Sequence, residues 1–246
     1  VLPTTAGSGS EATHFAVVYL NNKKFSVSSK YLLPDISLID QNLAISMSSY
    51  IIACSGFDAL SQAIESYWSI GSNRKSRKFS IESIQIILKN IKKATNKNPS
   101  ALKNMMIAAN LAGKAINITK TTAPHALSYA ITSLVGLPHG HAVAITLGKF
   151  FAINHYSENL NNKITKKIQL NRMCNIYKSF GVHSPEDTER EWYRLMKNCG
   201  LQSDLRKLKI NKPNIIDKII KSINIERLKN HPTILSQNDF KKIFEK

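Results

Sequence analysis

The sequence predicts a mainly α-helical fold, in which a short segment with β-strands precedes a long helical part. Apolar and polar residues alternate within residues 13–40, which is the period of a strand. From about residue 42 onward the apolar residues recur at helical spacing, with breaks at Gly, Pro and Asn. These patterns place a domain boundary after residue 41, so that residues 42–246 form an all-helical domain.

The individual elements follow from these periods and from the turn residues between them. Strands are predicted over residues 15–19, 24–27 and 32–40, with a turn at Asn21 and Asn22 between the first two. Helices are predicted over residues 56–70, 76–94, 99–118, 123–133, 139–155, 161–180, 186–199, 213–222 and 236–245. No strand is expected between these helices.

Length and composition indicate a globular protein and argue against a membrane or secreted one. The chain has 246 residues, of which 43% are hydrophobic, and no run of about eighteen apolar residues is present to span a bilayer. Its first residues lack the basic and apolar regions of a signal peptide. Three widely spaced cysteines, Cys54, Cys174 and Cys199, predict neither a disulfide framework nor a cysteine zinc site. A reducing cytoplasm is therefore the expected location.

The chain is strongly basic, with 34 Lys and Arg residues against 16 Asp and Glu residues and a net charge of +18. Such a charge raises the question of nucleic-acid binding. The lysines are scattered, however, and no basic stripe interleaved with aromatic residues is present. We therefore expect a small anionic substrate and neither a nucleic acid nor a membrane as partner.

Residues 113–147 and a second stretch upstream contain a candidate set of metal ligands. Three of the seven histidines, His125, His139 and His141, lie there among apolar or small residues. Asp58 and Gln62 are four residues apart, which places them on one face of a helix. A carboxylate, an amide oxygen and two imidazoles could converge on one divalent cation. The alternative is an aspartate that caps a helix and histidines that form hydrogen bonds within the core.

Four motifs occur along the chain in a characteristic order. They are Pro-Thr-Thr-Ala-Gly-Ser-Gly-Ser-Glu over residues 3–11, Asp-Ala-Leu-x-x-Ala-Ile-Glu over 58–65, His-Ala-Leu over 125–127 and Pro-His-Gly over 138–140. Together they resemble the iron-containing alcohol dehydrogenase family, whose fold is like that of dehydroquinate synthase. The resemblance implies a metal- and nicotinamide-dependent oxidoreductase, and it makes a homodimer plausible. Residues 1–41 would be the end of an α/β nucleotide-binding domain, and residues 42–246 the helical, metal-binding catalytic domain.

The resemblance assigns the metal ligands to Asp58, Gln62, His125 and His139. Gln62 stands where the family has a histidine, so either its amide oxygen binds the metal or the site has three protein ligands. Fe²⁺ is the expected ion, with Zn²⁺ and Mn²⁺ as alternatives.

The resemblance also assigns the first motif to the nicotinamide cofactor, NADH or NADPH. Backbone amides and hydroxyls in such a loop can hold a phosphate or a ribose, and the candidates are Thr4, Thr5, Gly7 and Ser8. Lys24 matches a lysine that the family places near the cofactor. A solvated lysine in a hairpin is the alternative for it. No Gly-Gly-Gly-Ser-x-x-Asp loop, which the family carries upstream, is found in this chain.

Candidates for catalysis and substrate binding flank His125. Tyr129 occupies a position where the family commonly has a second histidine, so its phenol is a candidate to donate a proton or orient substrate. The alternative is an aromatic packed in the core. Lys120, Thr121 and Thr122 could bind a phosphonate or phosphate group, or they could simply complete helix ends.

Residues 115–129 resemble the branch of the family that reduces phosphonoacetaldehyde to 2-hydroxyethylphosphonate. We therefore expect reduction of an aldehyde to a primary alcohol, with that compound as the first candidate substrate. A general alcohol or polyol dehydrogenase, and a truncated helical domain without activity, are the alternatives.

Overall fold

The structure is a computed structural model that describes residues 1–20, 23–223 and 225–244. Strands β1 (Phe15–Leu20) and β2 (Lys23–Ser28) form an antiparallel hairpin in which Phe15 lies opposite Ser28. This confirms the first two predicted strands. The predicted turn at Asn21 and Asn22 lies outside the described residues.

The strand predicted over residues 32–40 is wrong. The chain instead forms short 3₁₀ turns at Lys30–Leu32 and Gln41–Leu43, with irregular backbone between them. Pro34 cannot donate a ladder hydrogen bond, and within the described residues no strand pairs with this segment. The amide of Leu38 donates to the carbonyl of Val1, 3.0 Å away. Alternating apolar residues therefore stay exposed here, including Ile36 at 75%.

The rest of the described chain is helical, as predicted. The helices are α1 (Ser49–Trp68), α2 (Arg74–Thr95), α3 (Pro99–Thr119), α4 (Ala123–Val135), α5 (His139–Tyr156), α6 (Lys166–Ser179), α7 (Pro185–Asn198), α8 (Pro213–Lys221), α9 (Ile225–Leu228) and α10 (Gln237–Phe244). The short α9 was not predicted, because four residues carry no readable helical period.

Two helix starts differ from the prediction by five residues or more, and each has a local cause. Helix α1 begins at Ser49 and not at residue 56, because the Ser48 hydroxyl caps it by accepting from the amide of Ile51. Gly56 therefore lies inside the helix, where Met105 and Ile91 approach it closely. Helix α6 begins at Lys166 and not at residue 161, after a similar cap by Thr165.

Helix α1 is the centre of the helical part. It packs against α2, α3 and α5, and nearly all of its residues from Ile52 to Trp68 are buried. Helix α5 in turn packs against α4 and α7, where Trp192 donates to the carbonyl of Ala144. A helix that is buried on all sides brings any polar residue it carries into the core. Such residues need internal partners, and α1 carries several.

None of the helices in the described part of the chain is long and apolar enough to cross a membrane. All three cysteines are free thiols, and Cys54 and Cys199 are buried.

Candidate metal centre

Three predicted ligands from three helices meet at one point of the core. Asp58 comes from the middle of α1, His125 from the first turn of α4, and His139 is the first residue of α5. Each offers one ligand atom, and these atoms all lie within 4.8 Å of one another. The Asp58 carboxylate oxygen is 3.2 Å from Nε2 of His125 and 3.9 Å from Nε2 of His139. One carboxylate and two imidazoles at this spacing form a suitable set for a divalent cation.

The helices reach this geometry because small residues allow them close together. Gly140 follows His139 directly, and a Cβ at this position would lie only 2.0 Å from the carbonyl oxygen of Cys54 and 2.9 Å from Cβ of Asp58. Only glycine therefore allows the start of α5 to lie on α1 beside Asp58. Pro138 ends the preceding loop and makes His139 the first residue of the helix.

A second, fully buried carboxylate fixes the orientation of His125. One oxygen of Glu65 forms a short contact with Nδ1 of His125. The other accepts hydrogen bonds from the backbone amide and the hydroxyl of Thr122, at 2.6 and 2.8 Å. The indole of Trp68 also donates to this hydroxyl, at 3.0 Å. The Nε2 atom of His125 is thereby directed toward Asp58, the arrangement typical of a metal-binding histidine.

Glu65 was not identified as a site residue from the sequence, although a signal was present. Asp58, Gln62 and Glu65 are spaced by four and three residues, so they share one face of α1. What the spacing does not reveal is that this face points into the core.

The carboxylates on either side of His125 change its proton affinity. Burial by itself disfavours the charged imidazole, but the negative charges and hydrogen bonds of Glu65 and Asp58 outweigh burial and raise the pKa of His125 to about 9. Burial would likewise raise the pKa of Asp58. The hydrogen bond from His125 and the charges of His139 and His125 outweigh it and hold the pKa of Asp58 below its ordinary value. Without metal, a protonated His125 bridges two carboxylates.

Metal binding should therefore release a proton from His125. A metal-bound imidazole is neutral, whereas a pKa of about 9 means that the metal-free site carries this proton at neutral pH. We expect metal affinity to rise about tenfold per pH unit below that pKa, with roughly one proton released per ion. Titration calorimetry in buffers of different ionisation enthalpy measures both quantities.

The Glu65→Gln protein provides the control for this effect. It lacks one of the two carboxylates that hold the proton, so the steep part of the affinity curve should move to lower pH. A wild-type affinity that stays constant between roughly pH 6.5 and 8.5 would contradict the assignment of this proton.

Gln62 carries a buried oxygen that suits a fourth ligand. Its amide nitrogen donates to the carbonyl of Ser8, 3.3 Å away. Its Oε1 is buried and accepts no hydrogen bond from the residues that the structure describes. An unpaired buried carbonyl is costly unless a polar group or an ion binds it. The donor set therefore fits a divalent metal, and the role predicted for Gln62 remains a prediction.

Tyr129 borders the triad and is held by an arginine. Its ring stacks on the ring of His139, with the ring centroids 5.5 Å apart and an interplanar angle of 16°. Its hydroxyl accepts a hydrogen bond of 2.8 Å from Arg227 of α9, whose guanidinium carbon lies 4.6 Å from the ring centroid. Arg227 was not among the predicted site residues, because 98 residues separate it from Tyr129. The structure thus adds a cation beside the predicted catalytic residue.

The loop assigned to the cofactor lies against the metal centre. The carbonyl of Ser8 accepts the hydrogen bond from Gln62, and Gly7 packs so tightly on Ser55 that a Cβ would lie 2.8 Å away. Thr4 and Ser8 are exposed, and Thr5 is partly exposed. These groups are therefore accessible next to the site. Lys24 lies in β2 opposite Tyr19, and its side chain lies outside the described part of the structure.

The three residues assigned to an anionic substrate do not face the same way. Lys120 caps α3 with a positive φ of 62° and is exposed. Thr121 is partly exposed, whereas Thr122 is buried with its hydroxyl bound to Glu65 and Trp68. Thr122 therefore supports the carboxylate that orients His125.

His141 lies outside the triad, as the sequence indicated. It is buried two residues along α5, where Nδ1 is 3.0 Å from the hydroxyl of Tyr50 and Nε2 is 2.7 Å from the carbonyl oxygen of Gln202. Burial lowers the pKa of His141. A histidine whose two nitrogens are both bound to protein groups is a packing residue.

Two relatives that are similar to part of this chain carry different enzyme names. A phosphonoacetaldehyde reductase of Streptomyces viridochromogenes is 32% identical over 158 residues, which cover 63% of this chain and 40% of the relative. A 1,3-propanediol dehydrogenase of Citrobacter freundii is 35% identical over 149 residues, which cover 58% of this chain and 38% of the relative. The chain spans about two fifths of the length of these relatives.

Solved structures share the fold over nearly the whole chain. The sulfoacetaldehyde reductase of Bifidobacterium kashiwanohense, solved in complex with NAD⁺, superposes with a TM-score of 0.88 at 27% identity. The match covers 99% of this chain and 62% of that one. An iron-containing alcohol dehydrogenase of Thermotoga maritima gives a TM-score of 0.77 at 28% identity, and the match covers 99% of this chain and 61% of that one.

Two family models match the chain in succession. The model of the iron-containing alcohol dehydrogenase matches residues 1–41, and the model of the C-terminal part of the Fe-containing alcohol dehydrogenase family matches residues 52–246. The second match covers the triad, Glu65 and Tyr129. The chain therefore belongs to the iron-containing alcohol dehydrogenase family.

Proposed function

We propose that this chain is the metal-binding part of an oxidoreductase that reduces a small anionic aldehyde to a primary alcohol with a nicotinamide cofactor. Phosphonoacetaldehyde is the first candidate substrate. The observation that carries the proposal is the triad of Asp58, His125 and His139. Two of its members are buried, whereas the side chain of His139 is 35% exposed, so the site has one side from which a small molecule can approach.

The side chains of the site have separate tasks in this reaction. Asp58, His125 and His139 would hold the metal, with Gln62 as a candidate fourth ligand, and Fe²⁺ is the ion we propose, with Zn²⁺ or Mn²⁺ as alternatives. A bound metal supplies Lewis-acid polarisation of a carbonyl group. Glu65 keeps Nε2 of His125 directed into the site.

The two remaining reactants, hydride and proton, are assigned to the exposed side of the site. The loop with Thr4, Thr5, Gly7 and Ser8 would bind NADH or NADPH beside Gln62, and Lys24 stays a prediction for the same cofactor. The hydroxyl of Tyr129 accepts a hydrogen bond from Arg227. Tyr129 is the residue that we propose to donate a proton to the oxygen of the product.

The anionic character of the substrate rests on the relatives and on charge. Phosphonoacetaldehyde and sulfoacetaldehyde, named in two of the similar proteins, both carry an acidic group beside a two-carbon aldehyde. The chain itself has a net charge of +18. The similarity to a 1,3-propanediol dehydrogenase supports a second candidate, a general dehydrogenase of uncharged alcohols. The proposed homodimer and the absence of nucleic-acid partners remain predictions.

Nicotinamide oxidation by the full-length, iron-loaded protein should distinguish the two candidates. We expect kcat/KM for phosphonoacetaldehyde to exceed that for propanal, an uncharged aldehyde of similar size, by about 100-fold, because a charge-assisted contact is worth roughly 1.5 to 3 kcal/mol. Chelator-treated protein should turn over neither aldehyde. Equal rates would favour the general alcohol dehydrogenase. No turnover of either by metal-loaded protein would contradict an enzymatic role and favour the non-catalytic helical domain.

A further inference from the structure

We infer that Arg227 binds the anionic group of the substrate and thereby determines the preference for a charged aldehyde over an uncharged one. The inference rests on the proposed function, which it deepens by assigning a residue to the recognition of charge. The observation behind it is that the guanidinium of Arg227 contacts Tyr129, and the ring of Tyr129 stacks on the ring of the candidate metal ligand His139.

Arg227 lies at a distance from the triad that suits a small substrate. The two distances of 4.6 Å and 5.5 Å share the Tyr129 ring centroid, so the guanidinium carbon is at most about 10 Å from the ring centroid of His139. Each carbon–carbon bond extends a substrate by about 1.5 Å. A charge-assisted hydrogen bond adds about 2.8 Å. A two-carbon aldehyde with a terminal acidic group can therefore span from the triad to Arg227.

The guanidinium has hydrogen-bonding capacity left for an anion. Within the described residues, its contacts are one hydrogen bond to the hydroxyl of Tyr129 and the face of the same ring, and no carboxylate forms an ion pair with it. Three other arginines, by contrast, are paired with carboxylates: Arg190 with Asp187, Arg194 with Glu191 and Arg206 with Asp204. Arg227 is half-buried, so its charge is less screened than that of an exposed side chain. A guanidinium has five donors in a planar fork that matches phosphonate or sulfonate oxygens.

The segment that carries Arg227 is fastened to the helices around the site. Three residues further on, Asn230 donates to the backbone carbonyls of Thr119 and Thr121, at 2.6 and 3.1 Å, and accepts from the amide of Gly71. The next residue, His231, is fully buried and packs against aromatic rings. A cation on an anchored segment loses little conformational entropy when it binds an anion. These anchors are therefore consistent with a preorganised binding group.

Lys120 is the competing cation, because the sequence assigned the anion to it. Its ammonium is exposed at the end of α3, and within the described part of the chain no contact joins it to Tyr129 or to the triad. An exposed lysine has a solvated, flexible charge and no fixed fork of donors. Arg227 is thus the better placed of the two residues.

The test replaces Arg227 in the full-length, metal-loaded protein. Arg227→Gln keeps a long polar side chain that can still donate to Tyr129, but it removes the charge. We expect kcat/KM for phosphonoacetaldehyde to fall about 100-fold and that for propanal to change less than about threefold, since only the former loses a charge-assisted contact. Lys229→Gln is the matched control, because Lys229 is an exposed cation on the same segment, paired with Glu226. Its kinetics should match those of the wild type.

A binding measurement separates failure of this inference from failure of the proposed function. Ethylphosphonate, an unreactive anion, should bind the metal-loaded wild type about 100-fold more tightly than the Arg227→Gln protein, even if neither aldehyde is reduced. Equal binding to both proteins, or none to the wild type, would overturn the inference. So would an equal loss of activity toward both aldehydes in Arg227→Gln, which would show that Arg227 only supports Tyr129. A selective loss in Lys120→Gln in place of Arg227→Gln would overturn it as well.

Discussion

The His125→Ala protein should retain no stoichiometric metal after dialysis, and its reductase activity should fall by at least about 1,000-fold. The imidazole is one of the three candidate ligands that lie close together, and the metal that they would hold would supply the polarisation that the proposed reaction requires. The same change should also lower the free energy of unfolding by about 3–5 kcal/mol, since removing one partner of a buried ionic group leaves the other uncompensated. Here the group left behind is the fully buried carboxylate of Glu65.

Metal analysis of the dialysed protein and calorimetric unfolding measure the two parts of this prediction. The control is His141→Ala, which removes another buried histidine from the same region. His141 contacts Tyr50 and Gln202 and not the triad, so this protein should lose stability but keep its metal. Full metal occupancy in His125→Ala would contradict the proposed centre. Loss of metal in both proteins would show only that the helices must be intact.

The helical part of the fold was predictable because its signals are local. Helical period, caps such as Asn98 and breaks at Gly and Pro lie within a few residues of the elements they define. The strand predicted over residues 32–40 failed for the opposite reason. A strand needs a partner elsewhere, and alternation alone cannot show whether that partner exists. In the structure the backbone of this segment forms hydrogen bonds with Val1, and no strand pairs with it within the described residues.

The same difference between local signals and distant contacts applies to the residues of the candidate site. The three converging residues lie in short motifs with fixed spacing, so the sequence could name Asp58, His125 and His139 before their distances were known. Glu65 belongs to the motif over residues 58–65, but its task depends on which face of α1 meets α4. The role of Arg227 was not predicted, because its contact with Tyr129 is made between distant segments. Residues that support or extend a site are set by packing, and packing is what a single sequence does not display.

We expect the Gly140→Ala protein to bind metal more weakly, because the close packing of α5 on α1 positions the candidate ligand His139. A methyl group at this position would lie 2.0 Å from the carbonyl oxygen of Cys54, whereas ordinary contacts need about 3.4 Å or more. The obstacle is backbone of α1, so α5 must move outward by roughly 1 Å or more, and His139 must move with it. We expect metal affinity to fall at least about 100-fold, because a misplacement of about 1 Å in a preorganised site has that order of effect. The free energy of unfolding should fall by about 1–3 kcal/mol.

Gly148→Ala separates the effect on the site from the effect on the fold. Gly148 lies two turns further along α5, and an added Cβ would lie 2.7 Å from the ring of Tyr193. The obstacle here is a side chain, and it is remote from the start of the helix. This protein should therefore lose comparable stability in thermal unfolding while binding metal with wild-type affinity in titration calorimetry. If Gly140→Ala also binds metal normally, the start of α5 can shift without moving His139, and close packing of α5 on α1 is not what places the ligand.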